Sequence, residues 1–596
     1  MNVNKLIASI NCIALITVFS LAVYSFKTQT LEKNETHMAS MSNPSVENGV
    51  KKGTIYDRNG KELLVSVESE DGTYSRRLSD EVYQTGNPEC VSNVLDSRSG
   101  GADLWYEDIL NSPSVEDASK SVGEDITLTL DLDLQSAIWD DIEGLGCTSV
   151  VVLNPNTAEI YAMVSSPSYN MDTLYSEGGF DNVNNEYDGI NNRTGKDTEE
   201  GSSDYLISGT YVPSYTDEHG NKISLAYGND NYDADYCSST GFDPNFSLNN
   251  MCLENATPGS TFKILTSAVT LQYAYEVGEQ DTVKSLYSAD GYGEDATYRV
   301  SIDDYNTYDV TNFISANYNY SLSEKDMEFH LMRSNNTYFA KLAIEMLDLS
   351  KYCEQYNLKH STDYVQSDLT LRESFFKEYF EKYFNIDRSL NVDFRGNRRL
   401  TPTIRDTLGS PEVDNYQKPL AQTVYGIDKD QVSPLYMAMA MGKCLTGSMY
   451  SPILKKGTPL NTLGEPLNSS VVADMQDYLG AVYSKSKSQV VTEEQYFEND
   501  SATYSYACKT GSSFQVASDY YGKFGKANYS LVSGDNDKYQ GYNTLWYVGS
   551  AYTDSESHNS YVIAVKRFAT PNGVSSGDLK ETFDKVLNDC FEYLED

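Results

Sequence analysis

The sequence predicts a mixed α/β chain of the α+β kind, in which helices flank a mostly antiparallel sheet, with an N-terminal membrane anchor and a smaller stalk domain. Three observations carry this expectation. Residues 6–26 form a single uncharged run; helical periodicity fills the middle of the chain; and three strand-like runs near the end are followed by an amphipathic helix. With 596 residues and 39% hydrophobic content, the chain has room for up to about four domains and a large core.

Charge narrows the function. The 45 Lys and Arg residues face 87 Asp and Glu, a net charge of −42, so a nucleic-acid backbone would be repelled over most of the surface and no nucleic-acid partner is expected. The 48 Tyr residues supply too many aromatic anchors for a disordered chain. Nine Cys lack a CxxC pair, and the five His lack HxxxH or HExxH spacing. No metal site and no cofactor are therefore expected.

The elements follow in order. Residues 6–26 span about 31 Å as a helix, the thickness of a bilayer core. Ser20-Leu21-Ala22 fits a small-x-small cleavage site, so a cleaved signal peptide competes, but the apolar stretch exceeds the usual length of a signal peptide's apolar region. The expected layout is a cytoplasmic tail (1–5), an anchor (6–26), a stalk domain (27–140) and a large domain (141–596) outside the cytoplasm. Within the stalk, Gly53 to Leu64 reads as strand, Asn-Gly turn, strand. Residues 126–134 alternate as a half-buried strand that continues into a helix from Gln135 to Leu145, and Ser149–Asn154 with Glu159–Ser165 reads as a buried hairpin.

Residues 171–246 break the pattern, with 15 acidic residues against three basic ones, and read as a long solvated insertion. Helical periodicity resumes over Ser260–Tyr275 and Asp326–Leu347. Asp368–Phe384 places Phe376, Tyr379, Phe380 and Tyr383 on one face, an aromatic stripe that belongs to a core rather than a ligand box. Strand-like runs at Ser505–Lys509, Leu545–Tyr552 and Tyr561–Phe568 precede a helix over Leu579–Leu594.

Three short motifs carry chemistry. In Thr257-Pro258-Gly259-Ser260-Thr261-Phe262-Lys263 the Pro-Gly pair opens a helix, and the i, i+3 spacing puts the Ser260 hydroxyl and the Lys263 amine one turn apart. An amine serves as base only if its pKa falls, which burial beside Phe262 and Ile264 or a second cation can achieve. Ser334-Asn335-Asn336 interrupts a helical stretch where Ser and Asn are disfavoured. Lys509-Thr510-Gly511-Ser512 follows a strand, where Gly admits a substrate backbone and Lys with hydroxyls suits a carboxylate. Alone, each motif is a chance-level signal. Together and in this order they form the set Ser-x-x-Lys, Ser-x-Asn, Lys-Thr-Gly of penicillin-binding proteins and related β-lactamases.

On these motifs the chain resembles a class B penicillin-binding protein, a monofunctional peptidoglycan D,D-transpeptidase, over nearly its whole length outside the insertion. Further blocks add to the likeness: GTIYDRNGKELL (53–64), VVVLNPNTAEIYAMVSSPSYN (150–170), LENATPGSTFK (253–263), QVSPLYMAMA (431–440) and WYVGSAY (546–552). Three departures stand out. The block before the nucleophile carries Asn249-Asn250 where relatives have Asn-Arg, the third motif ends in Ser512 where Thr is common, and the insertion precedes the active helix.

The resemblance implies the penicillin-binding transpeptidase fold and acyl transfer in two steps. Ser260 is the expected nucleophile toward stem peptides ending in D-Ala-D-Ala, with Lys263 as base, Ser334 as proton relay, Asn336 holding the substrate amide and Lys509 supplying positive potential. Thr510, Gly511 and Ser512 would bind substrate, and the backbone N–H groups of Ser260 and Ser512 would form the oxyanion hole. It also implies a role in cell-wall synthesis, acylation by β-lactams and a membrane-embedded glycan polymerase as partner. Two rivals share the motifs: a D,D-carboxypeptidase or β-lactamase, in which water resolves the acyl-enzyme, and a non-catalytic penicillin-recognising scaffold. Cys508, beside the third motif, reads as a small strand residue.

Overall fold

The Asp57 carboxylate shapes the first turn. It accepts from the backbone N–H groups of Asn59 and Lys61, both at 2.8 Å, and so folds strand β1 (Ile55–Tyr56) back onto β2 (Glu62–Glu68). Strand β3 (Tyr74–Leu78) pairs with β2, and β4 (Ile126–Thr127) lies parallel to β1, giving a four-stranded sheet of order β3-β2-β1-β4. The computed structural model describes residues 51–112, 122–172, 214–216, 222–224, 250–286, 297–312, 326–487, 504–515 and 542–594, apart from shorter breaks inside these ranges. The expected tail and anchor, and nearly all of the 171–246 insertion, fall outside the described residues. Among the described residues no helix is long and apolar enough to cross a membrane.

One sequence expectation is corrected here. The alternating run 126–134 is not one strand: after Thr127 the chain turns, and helix α1 occupies Leu132–Ile142. The Asp131 side chain accepts from Leu134 N at 3.1 Å and caps that helix. Leu128, Leu130, Leu132 and Leu134 are all buried, so the alternation marks burial through a turn and a helix start rather than a pleated face.

The larger sheet has five antiparallel strands in the order β11-β12-β13-β5-β6, formed by β5 (Thr148–Leu153), β6 (Ile160–Ser166), β11 (Ser505–Gln515), β12 (Tyr542–Tyr552) and β13 (Tyr561–Thr570). Every residue of β5 and β6 is buried, as expected of strands covered on both faces. The covering helices separate cleanly by residue parity. Val562 and Pro155 lie under Gly442 of helix α6 (Pro434–Thr446), whereas Gly549, which pairs with Ile563, lies under Phe583 of the terminal helix α8 (Leu579–Tyr593). Adjacent strand residues point to opposite faces, so α6 and α8 sandwich the sheet.

Helix α2 (Lys263–Val277) is almost wholly buried and packs on α5 (Leu369–Phe384). The aromatic stripe is core, as the periodicity suggested: Phe262 meets Phe380 edge-on at 5.1 Å, and Tyr273 meets Phe375 at 5.0 Å. Helix α3 (Met327–Met332) and helix α4 (Asn336–Lys341) are separate elements, so the stretch 326–347 is broken at Ser334. Helix α7 (Ser469–Lys487) packs beside β11. Strand β11 is longer than the sequence suggested: it runs on through the Lys-Thr-Gly motif to Gln515 because each residue finds a partner on β12.

Candidate active site

A tight helical turn over Gly259–Phe262 delivers Ser260 to the start of α2. Gly259 has φ +56, its N–H donates to Gly426 O at 2.7 Å, and a Cβ there would lie 2.6 Å from Ser512 O. Only glycine meets both the backbone angle and the close approach. Lys263 is the first residue of α2 and is fully buried, while Ser260 is partly exposed; their Nζ and Oγ are 2.9 Å apart.

The second motif is a strained turn. Ser334 has φ +56 between α3 and α4, a conformation unusual for a non-glycine residue. Asn335 stabilises the turn by accepting from Tyr338 N at 3.0 Å as the N-cap of α4. That geometry turns Ser334 and Asn336 toward α2. The Lys263 Nζ lies 2.7 Å from Ser334 O, 3.2 Å from Ser334 Oγ and 2.6 Å from Asn336 Oδ1.

The third motif sits on β11, the edge strand of the sheet among the described residues. Lys509 and Gly511 pair with Val548 and Trp546, and with Ser513 they occupy the face turned to α2. Gly511 is pressed so close to Pro258 O and Thr261 that a Cβ would lie 2.6 Å from the former. Lys509 is buried and donates to Ser334 Oγ at 3.0 Å and to Thr510 O at 2.8 Å. Thr510, half-buried, and Ser512, exposed, occupy the alternate positions. The structure thus brings Ser260, Lys263, Ser334, Asn336 and Lys509 into one hydrogen-bonded cluster. The Thr510 and Ser512 side chains stand outside it, and these residues reach the cluster through their backbone carbonyls, Thr510 O under Lys509 and Ser512 O over Gly259.

Electrostatics set the state of Lys263. Burial first, and the charge of Lys509 second, hold its amine well below the usual lysine range. A neutral amine one hydrogen-bond length from a hydroxyl can take that hydroxyl's proton. Phe339 and Tyr425 line the amine at 5.7 and 6.0 Å and supply its apolar surroundings.

Several supporting groups escaped the sequence reading. Thr311 O accepts from Asn336 Nδ2 at 3.0 Å, and Asn312 bonds to Thr337. Lys566 donates to Met251 O and Glu254 O at 2.9 and 3.1 Å, while Trp546 Nε1 and Ser513 Oγ hold Thr257 O, so the sheet grips the loop that leads into Ser260. Backbone carbonyls do most of this work, and they leave no signature in residue type.

The family described as penicillin binding protein transpeptidase domain matches residues 148–570. No curated protein sequence matches the chain significantly. Among solved structures, the chain is similar to the D,D-transpeptidase domain of a peptidoglycan glycosyltransferase from Eggerthella lenta, at 19% identity and TM-score 0.52 over 91% of this chain and 99% of that one. It is similar also to the penicillin G acyl-enzyme complex of penicillin-binding protein A from M. tuberculosis, at 17% identity and TM-score 0.53 over 91% and 100% of the two chains. At these identities the likeness is one of fold.

Proposed function

The chain belongs to the penicillin-binding protein transpeptidase family, and from that premise we propose that it is a class B peptidoglycan D,D-transpeptidase working through a Ser260 acyl-enzyme. One observation carries the reading: residues from three distant segments converge on the Lys263 amine, with Ser260 Oγ at 2.9 Å, Ser334 Oγ at 3.2 Å and Asn336 Oδ1 at 2.6 Å.

In the first half-reaction Ser260 Oγ attacks the carbonyl of the penultimate D-Ala while its proton passes to the Lys263 amine. The backbone N–H groups of Ser260 and Ser512 bind the oxyanion that forms. The amide C–N bond then breaks, and Ser334 hands the leaving D-Ala amine a proton drawn from Lys263. In the second half-reaction the amine of a neighbouring stem peptide attacks the ester, Lys263 takes up its proton, and Ser260 recovers a proton as it leaves. Lys509 keeps positive potential toward the terminal carboxylate, and Asn336 holds the substrate amide. The same reading makes β-lactams covalent inhibitors and places the catalytic domain outside the cytoplasm on the anchor 6–26, beside a glycan polymerase.

Fluorescent penicillin labelling followed by mass mapping tests the assignment. The adduct is expected on Ser260, and an adduct elsewhere, or equal labelling of Ser260→Ala, overturns it. Incubation with paired stem peptides then separates the reaction types: cross-linked product is expected, and release of D-Ala to water alone points to a carboxypeptidase.

A further inference from the structure

Strands β9 (Thr297–Ser301) and β10 (Thr307–Thr311) form a hairpin that stands apart from both sheets and ends beside the Ser334 turn. Its last residues grip that turn at three points. Thr311 O accepts from Asn336 Nδ2 at 3.0 Å; Asn312 Oδ1 accepts from Thr337 N at 3.0 Å; and Asn312 Nδ2 donates to Thr337 Oγ1 at 3.1 Å. Thr337 Oγ1 passes the chain on by donating to Asn335 Oδ1 at 2.8 Å, the oxygen that caps α4. Donors and acceptors alternate along this chain, so each bond polarises the next.

The Asn336 amide shows what the grip achieves. A primary amide offers two N–H donors and two acceptor lone pairs. One donor is spent on Thr311 O and one lone pair on Lys263 Nζ, 2.6 Å away, which leaves one of each for a substrate. A flipped amide would set oxygen against the Thr311 carbonyl and nitrogen against the Lys263 amine. The hairpin therefore fixes which way the remaining donor and acceptor face.

We propose that Asn312 is a positioning residue for this reaction: acting through Thr337 and the neighbouring Thr311 carbonyl, it holds Ser334 and Asn336 in the orientation that acyl transfer needs. This rests on the function proposed above and adds to it an element outside the three motifs. Misplacement of reacting groups by a fraction of an ångström to one ångström costs up to about a hundredfold in rate. A second consequence is specific to the geometry. Ser334 O and Asn336 Oδ1 both accept from Lys263 Nζ, and such bonds favour the ammonium. Loosening them makes the ammonium easier to deprotonate, so the acid limb of the acylation profile moves to lower pH. Lys509, which meets Ser334 Oγ and is held also by Thr510 O outside that turn, is the charge acting on this amine.

The test is penicillin acylation of the full-length protein, measured as rate against concentration and pH for Asn312→Ala, Thr337→Val and Thr337→Ser. Asn312→Ala and Thr337→Val are expected to lower the limiting acylation rate about tenfold or more with a smaller change in half-saturation, and to shift the acid limb downward. Thr337→Ser, which keeps the hydroxyl, is expected within about threefold of the parent. If Asn312→Ala does not fold, the Thr337 pair decides alone. Parental rates in Asn312→Ala, or a lower rate with an unmoved acid limb, overturn the proposal. A parent that penicillin does not acylate overturns the transpeptidase reading and this inference with it, whereas an acylated parent whose variants match it overturns only the inference.

Discussion

Lys263 and Lys509 meet on one hydroxyl: Ser334 Oγ lies 3.2 Å from the first amine and 3.0 Å from the second. Two ammonium groups at such range repel each other, and burial first and the charge of Lys509 second hold the Lys263 amine well below the usual lysine range. The arrangement therefore sets two chemically identical side chains apart, with the charge of Lys509 pressing the Lys263 amine toward its neutral form.

Lys263→Arg follows directly. A guanidinium keeps its proton to pH 12 and above and cannot act as base. Acylation of Ser260 by penicillin is expected to fall by about 100- to 10,000-fold. Stopped-flow or gel-based labelling rates check this, and near-parental rates exclude Lys263 as the base.

The pH profile follows from the same pair. Because the Lys263 pKa is lowered, the neutral base becomes available, and acylation rises, well below the pH at which an ordinary lysine titrates. Lys509→Met removes the second cause of the lowering. The Lys263 pKa then rises and the acid limb moves to higher pH, in addition to any loss of substrate binding. Acylation constants measured between pH 5 and about 10 show the sign of the shift.

Part of this site was legible in the sequence and part was not, for physical reasons. The Ser260–Lys263 spacing is fixed by helix geometry, so residue types alone predict their meeting. Ser334 was visible as a misfit in a helix, and φ +56 explains the misfit. The Leu128–Leu134 alternation misled because burial through a turn and into a helix can copy the period of a strand, and the Asp131 cap was the signal that distinguishes them. Strand β11 runs past the Lys509 end that the residue types suggest: Gly511 and the polar residues around it look like a turn, while the ladder to β12 carries the strand through them. The Thr311 and Gly426 carbonyls had no legible signal at all.

A carboxyl pair ties α1 to α8. Burial first, then the charge of Asp141, push the Asp589 carboxyl up to about 8, and the Asp141 carboxyl is also raised, by burial, with Lys585 working against it. The folded chain thus holds a proton that the unfolded chain releases near pH 4. Stability from this pair is fully present below about pH 4 and is lost as pH rises through about 8. Asp589→Asn, which supplies a permanent donor, is expected to flatten that slope and to raise Tm by several degrees at pH 8.5. Thermal melts of parent and variant from pH 5 to about 9 measure it.

The insertion is expected to be dispensable for folding. Its two ends are fastened to the core: Asp172 accepts from Leu78 N and Tyr83 OH, and Asn250 meets Ser165 Oγ. Loop closure grows by only about 0.6 kcal/mol for each doubling of length, so the intervening chain adds little cost and little support. Replacing residues 175–244 with a short Gly-Ser linker should leave a cooperative melt and acylation within about threefold of the parent. Loss of cooperative unfolding places the segment in the core, and collapse of acylation alone places it at the mouth of the site.

The neighbours β5 and β13 come from opposite ends of the catalytic domain, with Leu153 paired to Val562. During synthesis, at about 5–20 residues per second, the β5–β6 hairpin waits about 20–80 s for the strand that completes the sheet. Throughout that interval β5 presents an open edge that is apolar from Val150 to Leu153, the kind of surface that recruits wrong partners. The Lys509 strand also reaches the sheet only through this late arrival, because β13 joins β12 and β11 to β5. The Ser260–Lys263 pair is thus made early and joined by Lys509 last, and a chain cut short before residue 561 has Ser260 and Lys263 but no sheet to hold Lys509 against them.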